Sequence, residues 1–308
     1  MSDVPLVSIL IPAYHERFFG EALASARGQS YPRIEIVVRD DSSGDGIERK
    51  VREAGDDRVR YLRNPRRLGF HGNFTACFEE ARGEYVKFLN DDDCLLPHCV
   101  AVFADILRHN RTVALATSRR HVIDAGGSRL PDLASTQPVS HVSAYVPGTE
   151  LGNFVLVNML NLIGEPTTAM FRKADLVPEA GGLFSWEGED YHCLADLSLW
   201  LRLLARGAAF YCAEALSEFR QHPGQEQHTE GRLDCLLERG RIARRARASG
   251  FLAAPAQYVA ALRAARAFAA ATDLARVSPE VAARVRAETG SLDAEIARAA
   301  GNAVAAPL

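Results

Sequence analysis

The stretch Glu84-Tyr85-Val86-Lys87-Phe88-Leu89-Asn90-Asp91-Asp92-Asp93 constrains the fold more than any other part of the chain. Its apolar run, Tyr85 to Leu89, has the pattern of a buried strand, and it ends in three carboxylates. Acids crowded at a strand tip repel one another. A divalent cation relieves that repulsion, because Mg²⁺ and Mn²⁺ prefer oxygen ligands. A cation held there could in turn hold the phosphates of a nucleotide. A solvated acidic turn, with Asn90 or Asp93 capping the helix after Pro97, explains the same residues without any ligand.

The chain before this stretch alternates strand and helix patterns. Strands are expected at Leu6 to Ile11, Ile34 to Val38 and Arg58 to Leu62, and helices at Phe18 to Gln29, Ile47 to Ala54 and Asn73 to Ala81. Such alternation predicts βαβ units and a mostly parallel sheet. Ligands bind such sheets beyond the carboxyl ends of the strands. Three polar loops follow three strands: Tyr14 to Glu16, Asp40 to Asp41, and Asn90 to Asp93. The topology brings them to one sheet edge.

Further on, a helix is expected at Pro97 to Arg108 and a strand at Val113 to Ser118. Residues 119–147, rich in Ser, Pro, Gly and His, read as a long loop or a hairpin. A helix at Thr149 to Asn158 and a strand at Thr168 to Phe171 follow. Asp190 to Ala205 reads as one amphipathic helix, and Ala208 to Cys212 and Leu216 to Arg220 as two strands. From Gly231 the composition shifts to Ala, Arg, Leu and Glu, with helices expected at 231–249, 255–272, 278–288 and 291–303. Arg239, Arg241, Arg244, Arg245 and Arg247 form a basic face, either merely solvated or in peripheral contact with a membrane surface.

With 308 residues, 47% of them hydrophobic, the chain can bury a sizeable core. A net charge of −3 makes no global case for nucleic-acid binding. No apolar stretch is long enough to span a membrane, and the N-terminus lacks the pattern of a secretory signal. The expected location is therefore cytoplasmic, with peripheral contact at the inner membrane face as the variant. The six cysteines, with no C-x-x-C pair, read as reduced thiols rather than a disulfide or zinc framework.

Several motifs in order carry a resemblance. They are Val7-Ser8-Ile9-Leu10-Ile11-Pro12-Ala13-Tyr14, Asp40-Asp41-Ser42-Ser43-Gly44-Asp45-Gly46, the Asn64, Gly69 and Asn73 positions, and Gly83-Glu84-Tyr85 running on to Asn90-Asp91-Asp92-Asp93. Asp196 to Leu203 and Phe219-Arg220-Gln221-His222-Pro223-Gly224 complete the set. Together, over roughly residues 5–225, they resemble a family 2 glycosyltransferase of GT-A fold. The resemblance implies a Rossmann-like α/β domain over 1–228, with a mostly parallel twisted sheet flanked by helices, and a C-terminal helical appendage over 229–308. It also implies inverting transfer of a sugar from a nucleotide-diphospho-sugar, a UDP-sugar being favoured. The acceptor hydroxyl would belong to a glycan, a lipid-linked saccharide or a small molecule.

Carried over residue by residue, the resemblance gives Tyr14 and Asp41 to the nucleobase, Asp91 to the ribose, and Pro12, Ala13, Glu16 and Asn73 to the rest of the nucleotide site. Asp92 and His222 would ligate Mn²⁺ or Mg²⁺, and Arg220 would face phosphate. Asp196 would be the general base, four residues before Trp200, with Asp190 as the rival carboxylate. Asn90 stands where many relatives carry Asp, and Ala195 where they often carry Glu. Those departures leave a catalytically inactive sugar-nucleotide-binding scaffold as the alternative function. A nucleotidyltransferase would want glycines after the first strand, which Pro12-Ala13-Tyr14-His15-Glu16 lacks.

Overall fold

A computed structural model describes residues 4–225, 232–271 and 277–304. The strands are β1 (Val7–Ala13), β2 (Ile34–Asp40), β3 (Val59–Arg63), β4 (Tyr85–Phe88), β5 (Cys94–Leu95), β6 (Val113–Ile123), β7 (Arg129–Leu130), β8 (Ala144–Val146), β9 (Ala169–Arg172), β10 (Ser185–Trp186), β11 (Glu189–Asp190) and β12 (Ala208–Arg220). The helices are α1 (Glu16–Arg27), α2 (Gly46–Ala54), α3 (Gly69–Glu80), α4 (Cys99–His109), α5 (Gly148–Asn158), α6 (Ala195–Leu204), α7 (Arg232–Ala248), α8 (Pro255–Ala270) and α9 (Pro279–Val304).

One sheet organises the molecule, in the order β3-β2-β1-β4-β9-β6-β12-β5. β3, β2, β1 and β4 run parallel, and β6 and β12 run parallel to each other, while β9 and β5 are reversed. β1 is buried at every position, as a central strand covered on both faces must be. One layer of core lies under α1 and α4, where Phe19, Leu23, Val100 and Phe103 meet Ile9, Ile36 and Val38. The other lies under α3, α5 and α6, where Phe74, Phe78, Val155 and Trp200 meet Leu10, Val86 and Phe171.

The second layer continues into the C-terminal helices. Ile242, Ala246, Phe251, Tyr258, Leu262 and Leu292 belong to the same apolar cluster as Leu151 and Leu201. Gly152 on α5 lets Phe251 approach, since a Cβ there would lie 2.3 Å from the Phe251 ring. The expected division at residues 228 and 229 lies outside the described residues.

Four local expectations change. β12 is one 13-residue strand, because pairing with β6 carries it through register shifts at Cys212/Ala215 and Ala215/Ser217. β6 extends to Ile123 for the same reason. The predicted helix at Asp190 begins only at Ala195, because β10 and β11 form a hairpin first. Glu187 and Gly188 turn that hairpin with φ of 49° and 81°, as a type I′ turn requires. The two helices expected at 278–288 and 291–303 are one helix, α9.

Two chemical readings are also corrected. Cys193 and Cys235 are joined as a disulfide, their Cα atoms 5.1 Å apart, so those two are not free thiols. That separation suits a disulfide, and a spacing of 42 residues gives no sequence signal of it. The basic face of α7 is not a free patch. Arg239 donates to the Met159 carbonyl and covers the Phe268 ring, and Arg244 bonds Glu288 and Glu295. Arg245 pairs with Glu187 and Glu189, Arg241 donates to the Asp190 carbonyl, and Arg247 donates to the Leu252 carbonyl. These arginines hold the chain together and leave little charge for a membrane surface. Among the described residues no helix is long and apolar enough to cross a membrane.

Candidate functional site

The three polar loops do meet at the carboxyl edge of the parallel strands. The Asp41 amide donates to the Ala13 carbonyl at 2.9 Å, joining the loops after β1 and β2. Asp91 joins the loop after β4 to the loop after β1, since its Oδ2 accepts the Tyr14 and His15 amides at 2.6 and 2.7 Å. Burial, and then the charge of neighbouring Asp92, push the Asp91 carboxyl up to about 7, against the pull of those two amides.

Pro12 and Ala13 are buried at the end of β1, where the Ala13 carbonyl accepts from the Asp41 amide and Asn73 Nδ2. Tyr14 is half-buried, with the Arg67 guanidinium 4.4 Å from its ring centroid. Glu16 is exposed on the first turn of α1, and its carboxylate lies where Gly46 has no side chain. A Cβ at Gly46 would lie 1.4 Å from Glu16 Oε2.

Asp41 and Asn73 build the site's wall. Asp41 is buried and accepts from Asn64 Nδ2, the Leu68 amide and the Gly69 amide at 2.7–2.8 Å. The latter two are orphan donors at the start of α3, so Asp41 caps that helix from the loop after β2. Asn73 donates to the Ala13 and Arg39 carbonyls at 3.3 and 3.1 Å and accepts from Asn64 at 2.9 Å. Its amide is therefore spent on the ends of β1 and β2, which it holds in register.

Arg220 changes role. Its side chain is 1% exposed. Nε donates to the Asp92 carbonyl at 2.8 Å, Nη1 to the Asp124 carbonyl at 3.3 Å, and Nη2 to Glu21 at 2.6 Å. The guanidinium lies 4.6 Å from the Phe18 ring centroid. With its donors committed, it is an internal strut beneath the acidic loop and presents no free fork to phosphate.

Asp92 and His222, expected as a metal pair, are brought together. His222 Nε2 lies 3.1 Å from Asp92 Oδ2, and the Gly224 amide donates to His222 Nδ1 at 3.2 Å. Nε2 is the ring nitrogen turned to Asp92, so a metal shared by the two side chains would be ligated through Nε2. Among the described residues no group of three His, Cys, Asp or Glu side chains is arranged to hold a metal. One carboxylate and one imidazole still fit an ion completed by substrate phosphates and water, as Mg²⁺ commonly is.

Asp93, the last of the acids, is tied to the fold around the loop. It is buried, accepting from Thr167 Oγ1 at 2.7 Å, Asn90 Nδ2 at 3.1 Å and the Arg220 amide at 3.0 Å. Burial first, then Asp92 and Glu165, raise its carboxyl well above the usual range. Lys87, facing inward from β4, donates to the Thr167 and Ala169 carbonyls, and burial lowers its pKa.

Asp196 stands on the first turn of α6. Oδ1 accepts the Leu197 amide at 2.7 Å, and Oδ2 accepts Asn161 Nδ2 at 2.7 Å. Asn161 also closes a ring with Gly164 N and O at 3.1 Å, and Trp200 Nε1 donates to the Gly164 carbonyl at 2.8 Å. Burial raises the Asp196 carboxyl to about 7, with Glu165 adding to the rise. Arg120 pairs with Glu165 at 2.8 Å, and its charge works the other way on Asp196. Asp190 is elsewhere, exposed on the β10–β11 hairpin, where its carboxylate accepts from Ser185.

Sequence reasoning missed Asn161, Glu165, Arg120 and Thr167. They lie in the irregular middle of the chain, where no short motif marks them, and only folding brings them to the acids.

Residues 8–176, more than half of the chain, match the family model for glycosyl transferase family 2. The chain belongs to that family. An uncharacterized protein of Mycobacterium tuberculosis is 32% identical over 238 residues, covering 73% of this chain and 70% of its own length. An Escherichia coli UDP-Glc:alpha-D-GlcNAc-diphosphoundecaprenol beta-1,3-glucosyltransferase is 35% identical over 92 residues, 30% of this chain and 36% of that protein. The crystal structure of S. aureus TarS 1-349 in complex with UDP-GlcNAc aligns over 93% of this chain and 72% of that one. Its TM-score is 0.52 at 14% identity, which is a likeness of fold. The glycosyltransferase fold and the mostly parallel sheet expected from the sequence are both present.

Proposed function

We propose that this family member moves a hexosyl group from a UDP-sugar to the hydroxyl of a glycan or lipid-linked acceptor, with inversion at the anomeric carbon. The observation that carries the reading is Asp196. It is a carboxyl raised to about 7, held by two neutral donors and, among the described residues, in no ion pair. A group so poised near neutral pH suits a general base.

In this reading Asp196 takes the proton of the acceptor hydroxyl as that oxygen forms its bond to the anomeric carbon. The bond from that carbon to the diphosphate oxygen breaks, and the nucleoside diphosphate leaves with the electron pair. Asp91 holds the Tyr14 loop against the donor, and Asp41 and Asn73 fix the wall beside it. Asp92 and His222 would hold Mn²⁺ or Mg²⁺, which when bound supplies positive charge to the departing diphosphate. The UDP preference draws support from the UDP-Glc donor in the name of the E. coli relative, and the lipid-linked acceptor from the GlcNAc-diphosphoundecaprenol in that name.

The test is a thermal-shift panel of UDP-glucose, UDP-N-acetylglucosamine, GDP-mannose and dTDP-rhamnose, each with and without Mn²⁺. A ligand at a hundred times its Kd stabilises the native state by about 2.7 kcal/mol. A UDP-sugar should shift Tm, and more so with Mn²⁺. No shift with any UDP-sugar, with or without metal, would count against the reading.

A further inference from the structure

One face of α7 runs along the segment that leads into Asp196. Cys235 is bonded to Cys193. Glu238, 1% exposed, accepts the His192 amide through Oε1 at 2.7 Å and the Leu194 amide through Oε2 at 2.9 Å. Arg241 donates to the Asp190 carbonyl, and Arg245 pairs with Glu187 and Glu189. Positions 235, 238, 241 and 245 are spaced three, three and four apart, one stripe of a helix. Their partners run backwards along 187–194, so the contacts form an antiparallel zipper.

The zipper ends where the base begins. Leu194 is the N-cap of α6, its carbonyl accepts the Ser198 amide at 2.8 Å, and Asp196 follows on the first turn. On its other side His192 stacks on His71 of α3, ring centroids 4.4 Å apart, two residues from the Gly69 amide that Asp41 holds. The segment is thus gripped between the wall of the candidate donor site and α7. Nothing in the hydrophobic packing requires a buried carboxylate at 238. Its two bonds are to backbone amides of a segment with no regular structure, which would otherwise be orphaned.

We propose that this stripe of α7 is the template that positions the segment presenting Asp196, with Glu238 its central positioning residue. The proposal rests on the reading of Asp196 as the base. It gives the C-terminal helices a part in the transfer step without contact with either substrate.

The experiment follows the Asp196 carboxyl by carbon NMR on chain labelled at aspartate, its signal identified by loss in Asp196→Asn. In wild type it should titrate near 7. In Glu238→Ala the two amides lose their acceptor and the segment relaxes. The Asp196 midpoint should fall by at least one unit as water reaches it, and UDP release from UDP-glucose should slow at least tenfold. Mn²⁺-dependent UDP affinity should stay within twofold. Glu238→Gln, which keeps one accepting oxygen and the same shape, should fall between the two, and carries the comparison if the alanine variant does not fold. An Asp196 midpoint in the variants equal to wild type would overturn the proposal. If Asp196→Asn released UDP at the wild-type rate, the base reading would fall instead, and the titration would still decide whether α7 sets the Asp196 environment.

Discussion

Arg220→Met separates an internal strut from a phosphate contact. The side chain is 1% exposed, and methionine roughly keeps its apolar length while deleting every donor. The Asp92 and Asp124 carbonyls lose a charged donor, and Glu21 loses its partner. Breaking a fully buried pair by removing one member costs ~3–5 kcal/mol. Glu21 is 59% exposed, so water recovers much of its share, and about 2–3 kcal/mol is the better figure. For a chain of this size that is a fall in Tm of about 4–10 °C. Differential scanning calorimetry of the free protein reads this directly, and isothermal titration with UDP and Mn²⁺ reads the site at a temperature where the variant is folded. A strut predicts the loss of stability in the absence of nucleotide, with weaker UDP binding only as a consequence of the shifted Asp92 loop. An unchanged Tm with UDP affinity lost a hundredfold would refute this and restore Arg220 as a phosphate ligand.

Asp92→Ala should weaken Mn²⁺-dependent UDP binding at least tenfold by calorimetry, about 1.4 kcal/mol, and equal affinity in mutant and wild type would remove Asp92 from the metal site. The rate at limiting acceptor should drop about tenfold per unit as pH falls below about 7, because the base works only when ionised and the Asp196 carboxyl is raised to about 7. A rate that stays flat down to pH 5 would contradict that assignment. Peptide mapping without reductant should recover Cys193 linked to Cys235, and reduction should cost about 4 kcal/mol on the chain-entropy estimate for a loop of 42 residues. Full alkylation of both thiols before reduction would count against the bond.

The parts of this fold legible in the sequence are those whose causes are local. The βαβ alternation up to Glu84 is written in apolar periodicity, and the acids at 91–93 follow a strand that local composition already marks. What was not legible depended on partners far along the chain. β12 is one strand because β6 lies beside it, and α6 starts late because β10 pairs with β11. The arginines of α7 read as a solvated face because their acids, Glu187, Glu189, Glu288 and Glu295, come from a hairpin and another helix. Arg220 and Asn73 were in motifs that pointed to the nucleotide, yet the structure spends their donors on backbone carbonyls and a carboxylate. A motif records that a residue matters to a site; whether it touches the ligand or braces the loop is decided by what surrounds it.

Turnover of Asp196→Asn against Asp190→Asn tests the proposed mechanism most directly. The amide is nearly isosteric but cannot take a proton at neutral pH, and general-base catalysis contributes ~10²–10⁴-fold. Asp196→Asn should lose about that much in kcat with UDP-sugar affinity almost unchanged, the signature of an interaction made in the transition state. Asp190→Asn, altered on an exposed hairpin, should stay within a few-fold of wild type. Wild-type turnover in Asp196→Asn, with activity abolished in Asp190→Asn, would contradict the assignment of the base.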